Sequence, residues 1–345
     1  MVLFPFMSKG HTIPLLHLAH LLHRRNISVT FFTTTANRLF ISDSLSDTDA
    51  SIVELPFPQD IEGVPAGVEN TEKLPSMSLF VPFANATKLM QPNFEEALET
   101  LPQITSIISD GFLWWTQQSA TKFGIPRLVT YGFSNYSKAV RSDVMTNGLL
   151  SGPELDDVPF ALTNFPRIKL TRNDFDEPLH SREPKGPYMD FVTEVVIATS
   201  KSYALESICA KVPILAWPMM AEQHVNARMV VEEIKVGLRV ETINGSVRGF
   251  VKSEGLEKMV RELMEGEMGK EARKKVEGFG EMAKKAVEEG GSSWQTLNQL
   301  INELQALRND CWILGTQIME EVGKPACLCS WRNVKCSLAG FVAVL

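Results

Sequence analysis

The order of segments in the first 34 residues limits the possible folds more than any other feature of the chain. Residues 2–6 form a short apolar run, and an apolar-periodic segment follows over 14–25. Residues 27–34 are rich in β-branched and aromatic side chains. Proline suits the first turn of a helix, so the helix is predicted to begin near Pro14. A strand, a helix and a second strand predict a parallel sheet with a right-handed crossover.

Two titratable residues follow predicted strands of this sheet. His11 is predicted to lie in the loop after the first strand, where open α/β sheets place their ligands. Asp110 follows another apolar run, 104–109. A carboxylate there can orient the histidine ring and stabilise the imidazolium formed on proton transfer. The alternatives are a histidine that only packs or caps the helix, and an aspartate that caps the next helix.

Aromatic residues follow the predicted strands at the same edge of the sheet. Phe112, Trp114 and Phe133 either line a flat aromatic ligand or fill the core. The spacing of Phe112, Trp114 and Trp115 requires that at least one of the three faces the core. Residues 151–185 are rich in proline and aspartate and are predicted to form a surface loop. A helix is predicted over 188–203.

The second half of the chain contains few predicted strands. They cover 213–217, predicted to be buried, and 237–242; helices are predicted over 224–233, 253–266, 271–289 and 293–307. A doubly wound parallel sheet needs several strands covered on both faces. A block of strands and helices is therefore predicted to be absent before residue 205.

Three segments resemble motifs of the plant UDP-glycosyltransferases. They are SKGHTIPLLHLAHLL at 8–22, ISDGFLWW at 108–115 and LESICAKVPILAWPMMAEQHVNA at 205–227. The resemblance covers residues 1–305 and implies an α/β fold of the GT-B type. It implies a Rossmann-like acceptor domain over 1–203 and an incomplete Rossmann-like domain for a UDP-sugar over 204–307. The tail, 308–345, resembles nothing in the family.

The resemblance also implies a reaction. His11, polarised by Asp110, would deprotonate a hydroxyl of a small lipophilic plant metabolite, which then attacks the anomeric carbon of a UDP-hexose. Glucose is the expected sugar, the UDP-sugar is a co-substrate, and no cofactor or metal is implied. Glu206 matches the residue of the family that binds the ribose. Glu222 and Gln223 match the pair that holds the sugar hydroxyls.

The same comparison shows what the chain lacks. The family has a Trp-Ala-Pro-Gln segment and a His-Cys-Gly-Trp-Asn-Ser turn before this last motif, whereas here FVTEVVIATSKSY runs directly into LESICA. The uracil-stacking tryptophan and the pyrophosphate cradle at a helix N-terminus therefore have no counterpart. Three hypotheses stay open: a glycosyltransferase with an impaired donor site, a non-catalytic protein that binds small molecules, and an incomplete gene product.

Charge, hydropathy and cysteine content argue against several other classes of protein, namely those that bind nucleic acid, span a membrane or depend on disulfides. The formal net charge is −7 without any run of Lys or Arg, so nucleic acid is not expected as a partner. No apolar run reaches the length of a membrane span. Only one of the five cysteines precedes residue 311, which favours a reducing cytoplasm. A monomer is expected. Neither the histidines at 17, 20 and 23 nor the four cysteines of the tail have convincing metal-ligand spacing.

Overall fold

The structure is a computed structural model that describes residues 1–132, 134–151, 155–183, 185–200, 203–204, 213–218, 223–243, 249–304 and 306. Its strands are β1 (Val2–Phe4), β2 (Thr30–Thr34), β3 (Ser51–Leu55), β4 (Ile107–Asp110), β5 (Arg127–Thr130), β6 (Phe160–Ala161), β7 (Lys169–Leu170), β8 (Tyr203–Ala204), β9 (Ile214–Ala216) and β10 (Gly237–Arg239). Its helices are α1 (Lys9–His23), α2 (Arg38–Ser44), α3 (Phe80–Ala86), α4 (Gln91–Thr100), α5 (Thr116–Phe123), α6 (Asn135–Asn147), α7 (Pro187–Ser200), α8 (Gln223–Arg228), α9 (Ser253–Glu265), α10 (Glu267–Val287) and α11 (292–304).

The chain divides into two compact units. Unit 1 contains Met1–Gly132 together with the described parts of 191–207 and 293–344. Unit 2 contains the described parts of 133–190 and 208–292. None of the described helices is long and apolar enough to cross a membrane.

A parallel sheet forms the centre of unit 1. Within the described residues it has six strands in the order β3-β2-β1-β4-β5-β8. This is the strand order of a Rossmann-like sheet, in which the direction of winding reverses between β1 and β4. The predicted parallel sheet is confirmed. The chain leaves the carboxyl ends of β1 and β4 side by side, and ligands of such sheets bind at this point.

The central strand β1 of unit 1 is apolar because the sheet is buried on both faces there, whereas the edge strand β3 is largely uncovered. All three residues of β1 are at most 1% exposed, and Phe31 and Phe32 of β2 are fully buried. The helix predicted over 188–203 is present as α7, but it ends at Ser200, and residues 203–204 instead pair with β5 as the edge strand β8.

Helix α11 completes the core of unit 1 although it lies far along the chain. Its buried residues Leu297, Leu300, Ile301 and Leu304 recur at helical spacing and share one cluster with leucines of α1. The Arg25 Nε donates to Asn298 Oδ1 at 2.9 Å, and the Arg25 guanidinium lies 5.7 Å from the ring centroid of Trp294. The last described helix is thus fixed against the first one.

Unit 2 has much less sheet among the residues that the structure describes. In its described part, β9 pairs with β10 in parallel and β6 pairs with β7 in antiparallel fashion. The two strands predicted over 213–217 and 237–242 are therefore present. The predicted burial of the first is wrong, because Ile214 is 44% exposed. Among the described residues, β9 pairs only with β10, so few neighbours cover it. The predicted 151–185 loop contains the β6–β7 pair, and the helix predicted over 224–233 ends in a π-helical turn, Met229–Glu233.

Helices α9 and α10 of unit 2 approach each other closely near Gly269, in the first turn of α10. A Cβ on Gly269 would lie 2.1 Å from the carbonyl oxygen of Leu263 in α9. Leu263 itself packs with Leu238 and Met259 in a small buried cluster. Only a residue without a side chain fits this contact between the backbones.

Candidate active site

His11 is the third residue of α1 rather than a loop residue, which corrects the prediction from sequence. The helix begins at Lys9, five residues before Pro14. The side chain of the N-cap residue Ser8 makes no capping hydrogen bond. Instead, the carboxylate of Glu72 accepts the backbone N–H of Lys9 at 2.7 Å and the Ser8 hydroxyl at 3.3 Å. A carboxylate satisfies an orphan N–H and interacts favourably with the helix dipole, so it stabilises this earlier start.

Asp110 is the last residue of β4 and is fully buried. Because β1 and β4 are neighbours, with Phe4 opposite Ser109, the segments that follow both strands meet. The Asp110 Oδ2 lies 2.6 Å from His11 Nδ1. Its other oxygen, Oδ1, accepts the backbone N–H of Phe112 at 2.9 Å. The structure therefore brings together the two residues that the sequence paired.

The contact with Asp110 determines which nitrogen of the neutral His11 ring carries the proton. An ionised carboxylate can only accept hydrogen bonds, so His11 Nδ1 must donate to Asp110. The lone pair of a neutral imidazole then lies on Nε2, the nitrogen that can take up a proton. The arrangement resembles the Asp-His half of a catalytic triad, in which the carboxylate fixes the tautomer and stabilises the imidazolium.

Aromatic rings enclose the imidazole of His11. The ring of Phe6 lies edge-on at 5.6 Å between centroids, and Phe112 lies tilted at 5.0 Å. The His11 side chain keeps 15% of its surface exposed, whereas Asp110 has none. The pair thus combines a buried carboxylate with an imidazole that solvent or a small molecule can reach.

Gly132 approaches the same imidazole from the segment after β5. A Cβ at this position would lie 2.7 Å from His11 Cδ2 and 2.8 Å from Nε2. The sequence analysis did not identify Gly132. The only signal in the sequence was its place after a strand at the ligand-binding edge of the sheet.

Arg127, which the sequence analysis also missed, lies at the start of β5 and is 2% exposed. Its Nε donates to the Ser109 hydroxyl at 2.7 Å, and its Nη2 donates to the main-chain carbonyl of Asp110 at 3.1 Å. Burial lowers the pKa of Arg127 to about 10, against the opposing effects of Tyr131 and Asp110. The signal in the sequence was a charged residue inside an apolar strand, GIPRLV.

The aromatic residues proposed for the acceptor have different surroundings. Phe112 is half-buried beside His11, whereas Trp114 is 9% exposed and carries the Lys88 Nζ at 4.6 Å from its ring centroid. Trp115 fills the core position that the spacing requires, and its Nε1 donates to Thr87 Oγ1 at 3.1 Å. Phe133 lies outside the described residues. An acceptor-binding role stays a prediction for all three proposed residues.

The donor-binding residues fall largely outside the described part of the chain. Glu206 and Glu222 belong to the segments 205–212 and 219–222, which the structure does not describe. Gln223 is the exposed first residue of α8. Their roles towards a UDP-sugar stay predictions.

His20 and His23, further along α1, contact groups other than Asp110. The His20 ring Nε2 lies 3.0 Å from the Ser44 carbonyl oxygen, and His23 Nδ1 lies 2.7 Å from Asp49 Oδ1. Over the described ranges, no cluster of His, Cys, Asp or Glu side chains could hold a metal ion.

Sequence relatives identify the family. No protein-family model matches the chain. UDP-glycosyltransferase 90A1 of Arabidopsis thaliana is 38% identical over 457 residues, covering 88% of this chain and 96% of that protein. The chain belongs to the plant UDP-glycosyltransferases. UDP-glycosyltransferase 90A2 of the same plant is 34% identical and likewise covers 88% of this chain and 97% of its own length.

Solved plant UDP-glycosyltransferases share the fold. UGT73P12 of Glycyrrhiza uralensis, complexed with glycyrrhetinic acid 3-O-monoglucuronide, aligns with a TM-score of 0.76 at 18% identity, covering 93% of this chain and 98% of its own. Phytolacca americana UGT2, complexed with UDP-2fluoro-glucose and pterostilbene, aligns with a TM-score of 0.69 at 18% identity, covering 88% and 99%. The predicted α/β fold of the GT-B type is confirmed.

The comparison also confirms the internal truncation. The alignment with UDP-glycosyltransferase 90A1 extends over 457 residues, whereas this plant UDP-glycosyltransferase has only 345. The alignment must therefore pass over more than a hundred residues of the relative that have no counterpart here. From the sequence motifs we predict that this gap lies before residue 205, within the half that binds the donor in the family.

Proposed function

We propose that this chain transfers a hexose, glucose in the first instance, from a UDP-sugar to a hydroxyl of a small lipophilic plant metabolite. The 2.6 Å contact between His11 Nδ1 and Asp110 Oδ2 carries the proposal. His11 Nε2 takes the hydroxyl proton, the oxygen attacks the anomeric carbon from the face opposite UDP, and the configuration inverts. Asp110 stabilises the imidazolium, so no metal is needed for this step.

The proposal includes an impaired donor site. Residues 1–203 act as the acceptor half and 204–307 as the donor half, whose remaining contacts come from Glu206, Glu222 and Gln223. Phe112, Trp114 and Phe133 line the acceptor. The missing block held the uracil and pyrophosphate contacts of the family, so UDP-sugar binding is weak. We place the enzyme in the cytoplasm, which agrees with its few cysteines, and we expect a monomer.

The alternative is a non-catalytic protein that binds the acceptor without transferring a sugar. The gap of more than a hundred residues favours it. A transfer assay separates the two functions, with UDP-glucose in the millimolar range and pterostilbene as the phenolic acceptor. Formation of a glucoside supports transfer, whereas pterostilbene binding without any glucoside supports the alternative.

We expect UDP to raise the melting temperature of the full chain only slightly. For a site with a Kd of about 1 mM, 10 mM UDP adds about 1.4 kcal/mol to the unfolding free energy and raises Tm by about 2 °C. Differential scanning calorimetry with and without UDP measures this shift, and uridine serves as the control for nucleoside binding alone. A cooperative transition that UDP does not move would contradict a surviving donor site.

We expect Gly132→Ala to lower kcat/KM for transfer about tenfold. The added methyl group would lie 2.8 Å from His11 Nε2, so the imidazole must turn away from its position on Asp110. Gly10→Ala is the matched control, because Gly10 is close to His11 in the same helix and its Cβ meets no atom within 4 Å. Rates that fall equally in both variants would contradict the close approach.

A further inference from the structure

We propose that Arg127 is the positioning residue of the His11–Asp110 pair, because it fixes the end of β4 and supplies the counter-charge of the buried carboxylate. The inference depends on the proposed function only because that function makes the His11–Asp110 pair catalytic. The structural role can be tested without turnover.

The guanidinium of Arg127 reaches two acceptors at the end of β4. Arg127 stands opposite Ile107 in the sheet, and its side chain reaches along β4 towards the carboxyl end of that strand. It donates to the Ser109 hydroxyl and to the Asp110 carbonyl, which belong to consecutive residues. The rigid fork of an arginine holds two such acceptors at a fixed separation, which a lysine ammonium cannot do. The backbone that carries the catalytic carboxylate is thereby fixed.

Arg127 and Asp110 carry opposite charges in the interior of unit 1. Asp110 and Arg127 are 0% and 2% exposed, and a buried carboxylate without a compensating charge is costly. Arg127 is a cation near the buried end of the pair, whereas His11 is neutral before it takes up a proton. Arg127 therefore offsets the cost of burying the carboxylate that contacts His11 Nδ1.

Hydroxyl groups around Arg127 extend its hydrogen bonds to a neighbouring helix. Ser109 Oγ, which accepts from Arg127, also lies 2.7 Å from Thr116 Oγ1, and that hydroxyl donates to the Leu113 carbonyl. All of these groups are buried. The end of β4 and the first turn of α5 are therefore connected through one network, and Arg127 provides its charge.

The experiment is a titration of the His11 ring by ¹⁵N NMR in the full chain, with the signal assigned by its loss in His11→Gln. Among the described residues, the titratable and charged groups on the elements around this ring are Asp110, Arg127, Tyr131 and, at the start of α1, Glu72. In the wild type we expect the neutral ring to carry its proton on Nδ1. In Arg127→Met, removal of a nearby cation should raise the titration midpoint of His11 by about one pH unit.

Arg127→Lys keeps the charge but loses the fork. We expect its midpoint to stay close to that of the wild type, while the Nδ1–H tautomer is no longer dominant because Asp110 is less well held. If Arg127→Met fails to fold, the His11 tautomer in Arg127→Lys tests the positioning role on its own. Arg172→Met is the matched control, since Arg172 is 6% exposed, belongs to unit 2 and donates to the Leu150 carbonyl. It should leave the His11 signals unchanged.

Two results would overturn the inference. One is a folded Arg127→Met or Arg127→Lys variant with the tautomer and midpoint of the wild type. The other is a wild-type His11 with its proton on Nε2. Failure of the proposed function gives a different pattern, in which the wild type forms no glucoside while the His11 signals respond to Arg127 as expected. If transfer occurs, Arg127→Lys should lower kcat about tenfold and leave KM for the acceptor within about twofold.

Discussion

His11→Ala is expected to lower kcat for glucosyl transfer by about a thousandfold, the range that general-base catalysis contributes. The substitution removes the nitrogen that takes the hydroxyl proton, and the acceptor must then lose its proton to water. KM for the acceptor should change little, because Phe6 and Phe112 remain in place beside the site. Initial rates of glucoside formation at several acceptor concentrations measure both constants.

His17→Ala is the matched control for this prediction. His17 lies on the same helix, α1, but its side chain is exposed and makes no part of the Asp110 pair. Its rate should equal that of the wild type, and circular dichroism should show that both variants fold. Turnover that persists in His11→Ala at more than about a tenth of the wild-type rate would exclude His11 as the base.

Gly269→Ala is expected to lower the unfolding free energy by about 3 kcal/mol, as overpacking of a close backbone contact does. The new Cβ would lie 2.1 Å from the Leu263 carbonyl oxygen and 2.5 Å from that of Glu262. These are backbone atoms of α9, so the two helices must separate. Urea denaturation followed by circular dichroism measures the change.

Gly278→Ala, in the same helix α10, is expected to raise the unfolding free energy instead. Gly278 is exposed and its Cβ would meet no atom within 4 Å. Alanine lowers the entropy cost of the helix, so this variant should be more stable by about 0.5–1 kcal/mol. If both substitutions changed the unfolding free energy equally, α9 and α10 would have to lie further apart at Gly269 than the 2.1 Å distance from its added Cβ implies.

The pairing of His11 with Asp110 could be predicted because it depends on local signals and on one topological rule. Each residue follows an apolar strand, and the strand order places β1 beside β4. A parallel sheet then brings the two carboxyl ends to one edge. The distance and the tautomer could not be predicted, since they depend on the register between Phe4 and Ser109.

The start of α1 could not be predicted from its own sequence. Pro14 suggested a later start, and Ser8 makes no side-chain cap. The carboxylate that caps Lys9 belongs to Glu72, which is 63 residues away in the chain. Local propensity does not contain such a contact. For the same reason the sequence placed His11 in a loop, although its neighbourhood was recognised.

Arg127 and Gly132 were missed because their roles depend on neighbours from other strands. An arginine in an apolar strand signals a buried charge, but its partners on β4 are visible only once the sheet is built. Gly132 is one of 22 glycines, and its closeness to the His11 ring follows from the path of the chain after β5.

The packing of α11 against α1 has a consequence for synthesis on the ribosome. The apolar face of α1 is made first, whereas Leu297, Leu300, Ile301 and Leu304, which cover it, emerge only after the whole of unit 2. At the usual speed of translation this interval lasts roughly 15 to 60 seconds. During that time the nascent chain exposes a surface that chaperones recognise. The core of unit 1 can therefore be completed only after unit 2 has been synthesised.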